Sequence, residues 1–293
     1  MRCFTIAAVV AVSTVALTQI ASAADLPRKA PAYIPLSPPI LSWTGWYAGL
    51  NAGGMWSNQD VDTVSTSTLA APGLNPASGP AAAAAGSTSI PTNSSGFIGG
   101  GQIGYNWQFM PQWVAGLEAD IQGISRGNGT DAVSQAVVVP NSGGDFWTAT
   151  TNVSSRLDYL GTGRGRVGYL VTPTLLAFGT GGVAYGGIKQ QTAISWVCTS
   201  VGNGCAASNV FSGGGTVSET RFGWTVGAGV EWMAWQNWSL KAEYLYYDLG
   251  TVSNNFDSVR TTPGFGNGIS NVASQSTTRF NGNIVRLGVN LHF

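Results

Sequence analysis

The C-terminal segment of the chain alternates strictly between apolar and polar side chains, and it ends in an aromatic residue. From Val285 to Phe293 every odd position is apolar, whereas the even positions hold Arg286, Gly288, Asn290 and His292. Successive side chains of a β-strand point to opposite faces, so this segment predicts a strand with one apolar and one polar face. A soluble β-sandwich could contain such a strand, and so could a membrane protein. The N-terminal end of the chain distinguishes between these two classes.

The first 23 residues have the three parts of an export signal. Arg2 gives a positive start, Phe4 to Ile20 is mostly apolar, and Ala21–Ala23 forms a cleavage site of small residues. A transmembrane anchor is the alternative, but polar residues interrupt an apolar run that is already short for a span of ~20 residues. An exported chain with two-faced strands and an aromatic C-terminus indicates a protein of the bacterial outer membrane.

The composition suits a surface that meets lipid. Only 9% of the residues are charged, against ~25% in an average soluble domain. Glycine is abundant, and aromatic residues make up 11% of the chain, as expected for a barrel with aromatic girdles at both membrane interfaces. No segment after the signal has about 18 consecutive apolar residues, which excludes helical spans. The net charge is zero and basic residues do not cluster, which argues against a nucleic-acid partner.

Alternation predicts eight strands after the signal. They cover about 44–57, 96–108, 112–125, 154–170, 174–190, 219–234, 237–249 and the C-terminal segment. Three connections are tight, at Met110-Pro111, Thr172-Pro173 and Gln236-Asn237, whereas the other four run over 58–95, 126–153, 191–218 and 251–279. Short and long connections that alternate are typical of outer-membrane barrels. The predicted fold is therefore all-β, an eight-stranded antiparallel transmembrane up-and-down β-barrel with four long outer loops.

The predicted organisation has three parts: a cleaved signal peptide at 1–23, a Pro-rich periplasmic lead-in at 24–43 and the barrel at 44–293. The lead-in holds five prolines between residues 27 and 39, which favour an extended segment. The long connections are rich in Ala, Ser, Thr, Asn and Gly, and the first contains Ala81–Ala85. Such a composition predicts outer loops without a packed core.

Two cysteines, Cys198 and Cys205, remain after removal of the signal. In an exported protein an even pair of cysteines indicates a disulfide. A metal site is the alternative, but such a site needs about four ligands and no His lies near the pair.

The polar faces of the predicted strands carry many charges. They are Glu118, Asp120, Asp158, Glu231 and Glu243 against Arg156, Arg164, Arg166, Arg221, Lys241 and Arg286. An eight-stranded barrel is only just wide enough for side chains to fill its interior, and buried charges must be paired there. The simpler interpretation is a lumen plugged by an ion-pair network. The alternative is a narrow, polar, slightly cationic conduit.

The sequence contains motifs that resemble catalytic or cofactor-binding ones, but each lacks the structural setting that its function requires. Residues Gly99–Gly104 fit the glycine pattern of dinucleotide-binding proteins, but they lie within a predicted strand and open no helix. His292 is the only His of the chain, so a catalytic His in the outer loops is excluded. Glu118 and Asp120 share one strand face with arginines nearby. This arrangement favours two carboxylates whose charge is neutralised by arginine over a catalytic pair. We expect no enzyme activity, no metal and no cofactor.

Several short motifs resemble one family. They are ADLP at 24–27, WTGWYAGLN at 43–51, RGRVGY at 164–169, GGVAYG at 181–186, GWTVGAGVE at 223–231 and KAEY at 241–244. The chain is similar in these segments to the alphaproteobacterial outer-membrane immunogenic protein family, the RopB-like, porin-family small barrels of rhizobia and their relatives. The resemblance covers the mature chain except the loops. It implies an eight-stranded outer-membrane barrel that stabilises the envelope and meets the host, with haem binding described for some relatives; it carries over no catalytic residue.

The expected function is a structural and surface-interaction role in the outer membrane, with membrane lipid, the barrel-assembly machinery and surface or host ligands as partners. The alternatives are a narrow porin-like channel and capture of a ligand such as haem by the loops. The last strand must pair with the first, because an open edge in lipid leaves backbone groups unsatisfied. In the barrels that this chain resembles, the terminal aromatic is also an assembly signal, which is the role expected of Phe293.

Overall fold

The structure is a computed structural model that describes residues 42–70, 75–126, 130–199, 210–261 and 269–293. The predicted signal peptide at 1–23 lies outside the described residues, and so does the predicted lead-in except for its last two residues. Both stay predictions.

The described chain consists of nine strands and one short helix. In chain order they are β1 (Gly45–Ala70), α1 (Ser78–Gly86), β2 (Thr88–Met110), β3 (Trp113–Arg126), β4 (Asp131–Val138), β5 (Phe146–Thr172), β6 (Leu175–Thr199), β7 (Val210–Trp235), β8 (Trp238–Thr261) and β9 (Ile269–His292). The three predicted tight turns are confirmed, at the β2–β3, β5–β6 and β7–β8 connections.

Eight of the nine strands close an antiparallel barrel. Each pairs with its neighbours in the order β1, β2, β3, β5, β6, β7, β8 and β9, and β9 returns to β1 along the register from Tyr47↔His292 to Ala70↔Ile269. The prediction of an eight-stranded all-β barrel is confirmed, and the structure adds one strand that was not predicted. The additional strand, β4, pairs only with the first part of β5 and lies in a segment that was predicted as loop.

A belt of exposed apolar side chains surrounds the barrel on its outer face. On β1 it runs from Trp46 to Trp56, close to the ~9–11 residues with which a tilted strand crosses a bilayer. Aromatic residues border the belt towards the tight turns, here called the turn end, and again towards the long connections, the loop end. The turn-end girdle comprises Trp46, Trp107, Trp113, Tyr169, Trp232 and Trp238, and the loop-end girdle comprises Trp56, Phe97, Phe222 and Trp224.

The strands continue far beyond the loop-end girdle, which corrects the predicted loops. Strands also cover segments that were predicted as loops, at 58–70, 88–95, 146–153, 191–199, 210–218 and 251–261. These segments escaped the search for alternation because polar residues occupy both faces there. The period of two persists in burial, since Val61, Thr63 and Ser65 are buried while the residues between them are exposed.

Helix α1 packs inside this extension of the barrel, although its segment was predicted to pack no core. The Trp147 indole donates a hydrogen bond to Ser78 Oγ at 2.9 Å, and the Trp196 indole donates to the Ala82 carbonyl at 3.1 Å. Small residues permit this approach: a Cβ on Gly86 would lie 2.8 Å from Cζ2 of Trp196. The helix has no side-chain N-cap, whereas the Ser87 hydroxyl donates to the Ala83 carbonyl at 2.9 Å at its C-terminal end.

The interior is layered from the turn end to the loop end. An apolar cluster around Trp43, Leu176 and Phe178 comes first, and a second apolar cluster around Leu160, Leu245 and Phe280 lies further along the barrel. A third surrounds α1 with Trp147, Trp196, Phe211, Phe256 and Val272. Among the described residues, no helix is long and apolar enough to span a membrane.

Candidate functional site

A layer of charged side chains fills the barrel interior at the level of the apolar belt. The structure brings together eight of the eleven residues predicted for the lumen: Glu118, Asp120, Arg164, Arg166, Glu231, Lys241, Glu243 and Arg286. Their side chains are 0 to 3% exposed. We refer to these eight residues as the charged layer.

Strand register sets opposite charges face to face in this layer. Glu118 on β3 lies opposite Arg164 on β5, Glu231 on β7 opposite Lys241 on β8, and Glu243 on β8 opposite Arg286 on β9. Directly opposed residues on one face of a sheet have Cβ atoms ~4.5–5.5 Å apart. Glu118–Arg164 and Glu243–Arg286 accordingly form ion pairs, whereas Lys241 bonds to Glu118 rather than to Glu231. Residues between them, such as Leu117 and Leu287, point outwards and are exposed.

Arg164 is the centre of the layer. Its guanidinium reaches Asp120 Oδ2 at 2.8 Å and Glu243 Oε1 at 2.6 Å, and it also contacts Glu118. A planar guanidinium presents five N–H donors in fixed directions, which suits a position surrounded by carboxylates. Three strands are thereby joined across the lumen.

Arg286 and Lys241 complete the contacts of these carboxylates. Arg286 Nη2 lies 2.8 Å from both Asp120 Oδ2 and Glu243 Oε2, and Lys241 Nζ lies 2.8 Å from Glu118 Oε2. Each carboxylate of this group therefore has more than one cationic neighbour. Such sharing compensates for the loss of hydration that every buried charge suffers.

Glu231 forms the centre of a second group nearer the turn end. Arg166 Nη2 lies 2.8 Å from Glu231 Oε2, while the Ser239 hydroxyl and the Asn290 amide donate to Oε1 at 2.6 and 2.7 Å. His292 Nε2 is 3.4 Å from the same carboxylate. Both oxygens of this buried carboxylate thus accept hydrogen bonds.

Tyr47 belongs to the site although the sequence analysis did not select it. Its hydroxyl donates to Glu118 Oε2 at 2.6 Å and accepts from Arg166 at 3.2 Å. Gly104 lies between Tyr47 and Glu118 in the register, and a Cβ there would collide with the Tyr47 ring. The signal was the position of Tyr47 on the polar face of β1, opposite Trp46.

Two predicted lumen residues, Arg156 and Asp158, lie on the outer face instead. They form an exposed pair with Arg156 Nε 3.2 Å from Asp158 Oδ1. The prediction assumed strict alternation along β5, but the register with β6 shifts between Leu157 and Tyr159. A β-bulge of this kind exchanges the two faces, so Leu157 before it and Arg164 after it both point inwards.

Arg221 is the third predicted lumen residue outside the charged layer. It has the same parity on β7 as Glu231, but it lies ten positions nearer the loop end, where its Nε forms an ion pair with Glu219 Oε1 at 2.7 Å. Both side chains are more than a third exposed. The prediction was right about the face and wrong about the neighbours.

The charged layer is balanced, with four acids and four bases. The excess positive charge behind the alternative of a slightly cationic conduit came from Arg156 and Arg221, which do not belong to the charged layer. No group of three or more His, Cys, Asp or Glu in the described part of the chain is arranged to hold a metal ion. The charged layer can therefore join strands through ion pairs across the lumen.

The remaining predicted site residues lie at opposite ends of the barrel. Cys198 is buried near the end of β6, in the apolar cluster around α1. Cys205 lies outside the described residues, so the disulfide stays a prediction. The Phe293 amide donates to the Trp46 carbonyl at 2.9 Å, and its side chain is 75% exposed beside the turn-end girdle.

Known proteins resemble this chain in sequence along most of its length. The outer membrane protein beta-barrel domain family matches residues 7–293. The 31 kDa outer-membrane immunogenic protein of Brucella melitensis is 33% identical over 255 residues, covering 84% of this chain and 85% of that protein. The 22 kDa outer membrane protein of Rhizobium leguminosarum is 34% identical over 168 residues, covering 57% and 60% of the two chains.

Solved structures resemble it only distantly. The outer membrane protein OprG of Pseudomonas aeruginosa aligns over 85% of this chain and 97% of its own, with 10% identity and a TM-score of 0.32. The barrel closure, the apolar belt and the sequence relatives together identify an integral protein of the bacterial outer membrane. The chain belongs to the outer membrane β-barrel family and is a relative of the outer-membrane immunogenic proteins.

Proposed function

We propose that this protein is a closed barrel with a structural and surface-interaction role in the cell envelope. The observation that carries the proposal is the burial of the charged layer, whose eight side chains are at most 3% exposed. A water-filled pore through this layer would leave the charges that line it in contact with solvent. The balanced charge also offers no excess of one sign to select a permeating ion.

The apolar layers on either side support the same proposal. Trp43 closes off the turn end, where its indole donates to the Pro173 carbonyl at 3.1 Å and its ring packs edge-on against His292. At the loop end α1 occupies the space between Trp147 and Trp196. A solute would have to displace both, so the narrow-channel alternative is the weaker one.

Catalysis has less support. The acidic residues that come closest together are engaged by Arg164, Arg286 and Lys241, so none of them is available as a general acid or base. The relatives are named as outer-membrane and immunogenic proteins, which favours a role without catalysis. We propose that surface or host ligands are recognised by the loop-end extension.

A deletion strain tests the proposal in cells. Loss of the gene should increase sensitivity to detergent while uptake of small solutes stays unchanged, and the wild-type chain should restore resistance. A strain with impaired uptake of small solutes and unchanged detergent sensitivity would instead favour the channel.

We propose the barrel-assembly machinery as a second partner, recognised through the Phe293 side chain. A Phe293→Ala variant keeps the backbone bond to Trp46, so it separates recognition of the ring from closure of the barrel. It should lower the amount of heat-modifiable folded barrel in the outer membrane far more than it lowers synthesis. Trp235→Ala, which removes another exposed aromatic at the turn end, is the matched control. Equal folded yields for the two variants would refute the role of Phe293.

A further inference from the structure

Two cations stand directly opposite each other on the outer face of the barrel. Arg156 on β5 is the register partner of Lys189 on β6, and their side chains are 48% and 45% exposed. The residues next to them along the strands, Leu157 and Ile188, point inwards and are buried. Among the described strands this is the one position where the register opposes two cations.

A single carboxylate serves both cations. Asp158 lies 3.2 Å from Arg156 Nε and 2.9 Å from Lys189 Nζ. Like charges directly opposite in a sheet are destabilising, and one acid between two bases leaves a net charge of +1. The bulge at Leu157/Tyr159 creates the cluster, because it brings Arg156 and Asp158 to the outer face.

The cluster lies just beyond the loop-end girdle. Register places Arg156, Lys189 and Ser218 in one row across β5, β6 and β7. The next row towards the turn end contains Tyr159, whose hydroxyl is 2.9 Å from that of Thr220. The row after that contains Tyr185 and the exposed Phe222, with ring centroids 6.1 Å apart. Cations two rows outside an aromatic girdle lie at the level of lipid headgroups.

We propose that Arg156 and Lys189 bind the phosphate group of a lipid headgroup in the leaflet at the loop end. A phosphate oxygen accepts charge-assisted hydrogen bonds from a guanidinium and an ammonium, and its charge relieves the repulsion between them. The acyl chains of the same lipid then lie along the apolar belt below, beside Phe222. Because the belt places the barrel in a bilayer, such a lipid is present at this height on every side of the protein.

Lipid titration of the refolded full-length mature protein in neutral detergent micelles tests the site. The probe is a diphosphorylated glucosamine lipid (lipid A), with its dephosphorylated form and inorganic phosphate as separate arms. Wild-type protein should bind the phosphorylated lipid, and a double Arg156→Gln, Lys189→Gln variant should bind it about thirtyfold more weakly. Asp158→Asn should bind it several-fold more tightly, because the competing carboxylate is gone. Arg279→Gln, which removes an exposed cation bonded to Asp248, should change nothing.

Several outcomes would overturn the proposal. Equal affinity of the double variant and the wild type would show that Arg156 and Lys189 do not bind the lipid. Equal affinity for the dephosphorylated lipid would show that the phosphate group is not recognised. Binding of inorganic phosphate as tight as that of the lipid would show that the rest of the lipid contributes nothing. Weaker or unchanged binding by Asp158→Asn would show that the three charges only support one another. Lys189→Gln alone keeps the test decisive if the double variant fails to fold.

Discussion

The charged layer at the level of the apolar belt and the apolar layer around α1 fill the same barrel in opposite ways. In the first, four acids and four bases meet in the lumen, brought together by strand register and by contacts between strands that are not neighbours, such as that of Lys241 with Glu118. In the second, a helix of small residues is inserted between Trp147 and Trp196, and aromatic packing holds it. The first layer is made of the wall itself, whereas the second needs a separate segment.

The difference has consequences for stability. Each charge of the first layer depends on its partners, because removal of one leaves others buried without compensation, at a cost of about 3–5 kcal/mol. Removal of a side chain from the apolar layer leaves no buried charge without a partner. The stability lost there is that of the packing of the removed group. We therefore expect defects in the charged layer to affect the whole barrel and defects around α1 to stay local.

The largest effect is expected from Arg164→Met. This change leaves Glu118, Asp120 and Glu243 with less compensation and should lower the free energy of unfolding by about 3–5 kcal/mol. Urea unfolding of the refolded barrel in lipid vesicles measures it. Arg221→Met, which breaks a partly exposed pair, should cost at most about 1 kcal/mol. Similar losses for the two variants would mean that the charged layer is not coupled as described.

Trp196→Ala should have a smaller and local effect. Trp196 stacks on Phe211 with ring centroids 4.9 Å apart and donates to the Ala82 carbonyl, so its loss should cost about 3 kcal/mol within the extension. Hydrogen exchange should accelerate at residues 78–86 and stay slow in the strands around Arg164. Trp224→Ala, which removes an exposed girdle residue, should leave exchange in α1 unchanged. Acceleration throughout the barrel after Trp196→Ala would contradict the separation of the two layers.

The smallest effect is expected from Cys205→Ser. If the predicted disulfide closes the segment after Cys198, its loss should cost roughly 2.5 kcal/mol at most in the chain-entropy model. Because Cys198 belongs to the apolar cluster around α1, exchange in α1 should rise slightly, and Ser208→Ala in the same segment should have no effect. A thiol assay of the denatured, unreduced wild type should find no reactive thiol. Two reactive thiols would refute the bond.

The charged layer could be predicted from the sequence wherever a strand alternates regularly. Glu118, Glu231 and Glu243 each lie between outward-pointing neighbours in segments where the alternation holds, and the sequence analysis placed all three on the face that points into the lumen. Arg156 and Asp158 were misplaced because a bulge adds a residue to one strand only, and nothing in the local pattern announces it. Pairings across the lumen, such as that of Tyr47 with Glu118, depend on the glycine between them and on register.

The loop-end extension was harder to predict for a different reason. Outside the membrane both faces of a strand can be polar, so the contrast on which the strand assignment depends disappears. Helix α1 was missed because its stability comes from Trp147 and Trp196, which are distant in sequence. A run of alanines predicts a helix only when a surface exists to pack against it.

Planar-bilayer conductance of the refolded protein tests the central claim most directly. We predict no stable conductance steps for the wild type and none for a variant in which residues 75–87 are replaced by a Gly-Ser linker, because the charged layer alone should block the lumen. Stable, large, ohmic steps in the wild type would contradict the closed barrel. Steps in the linker variant alone would show that α1, and not the charged layer, closes it.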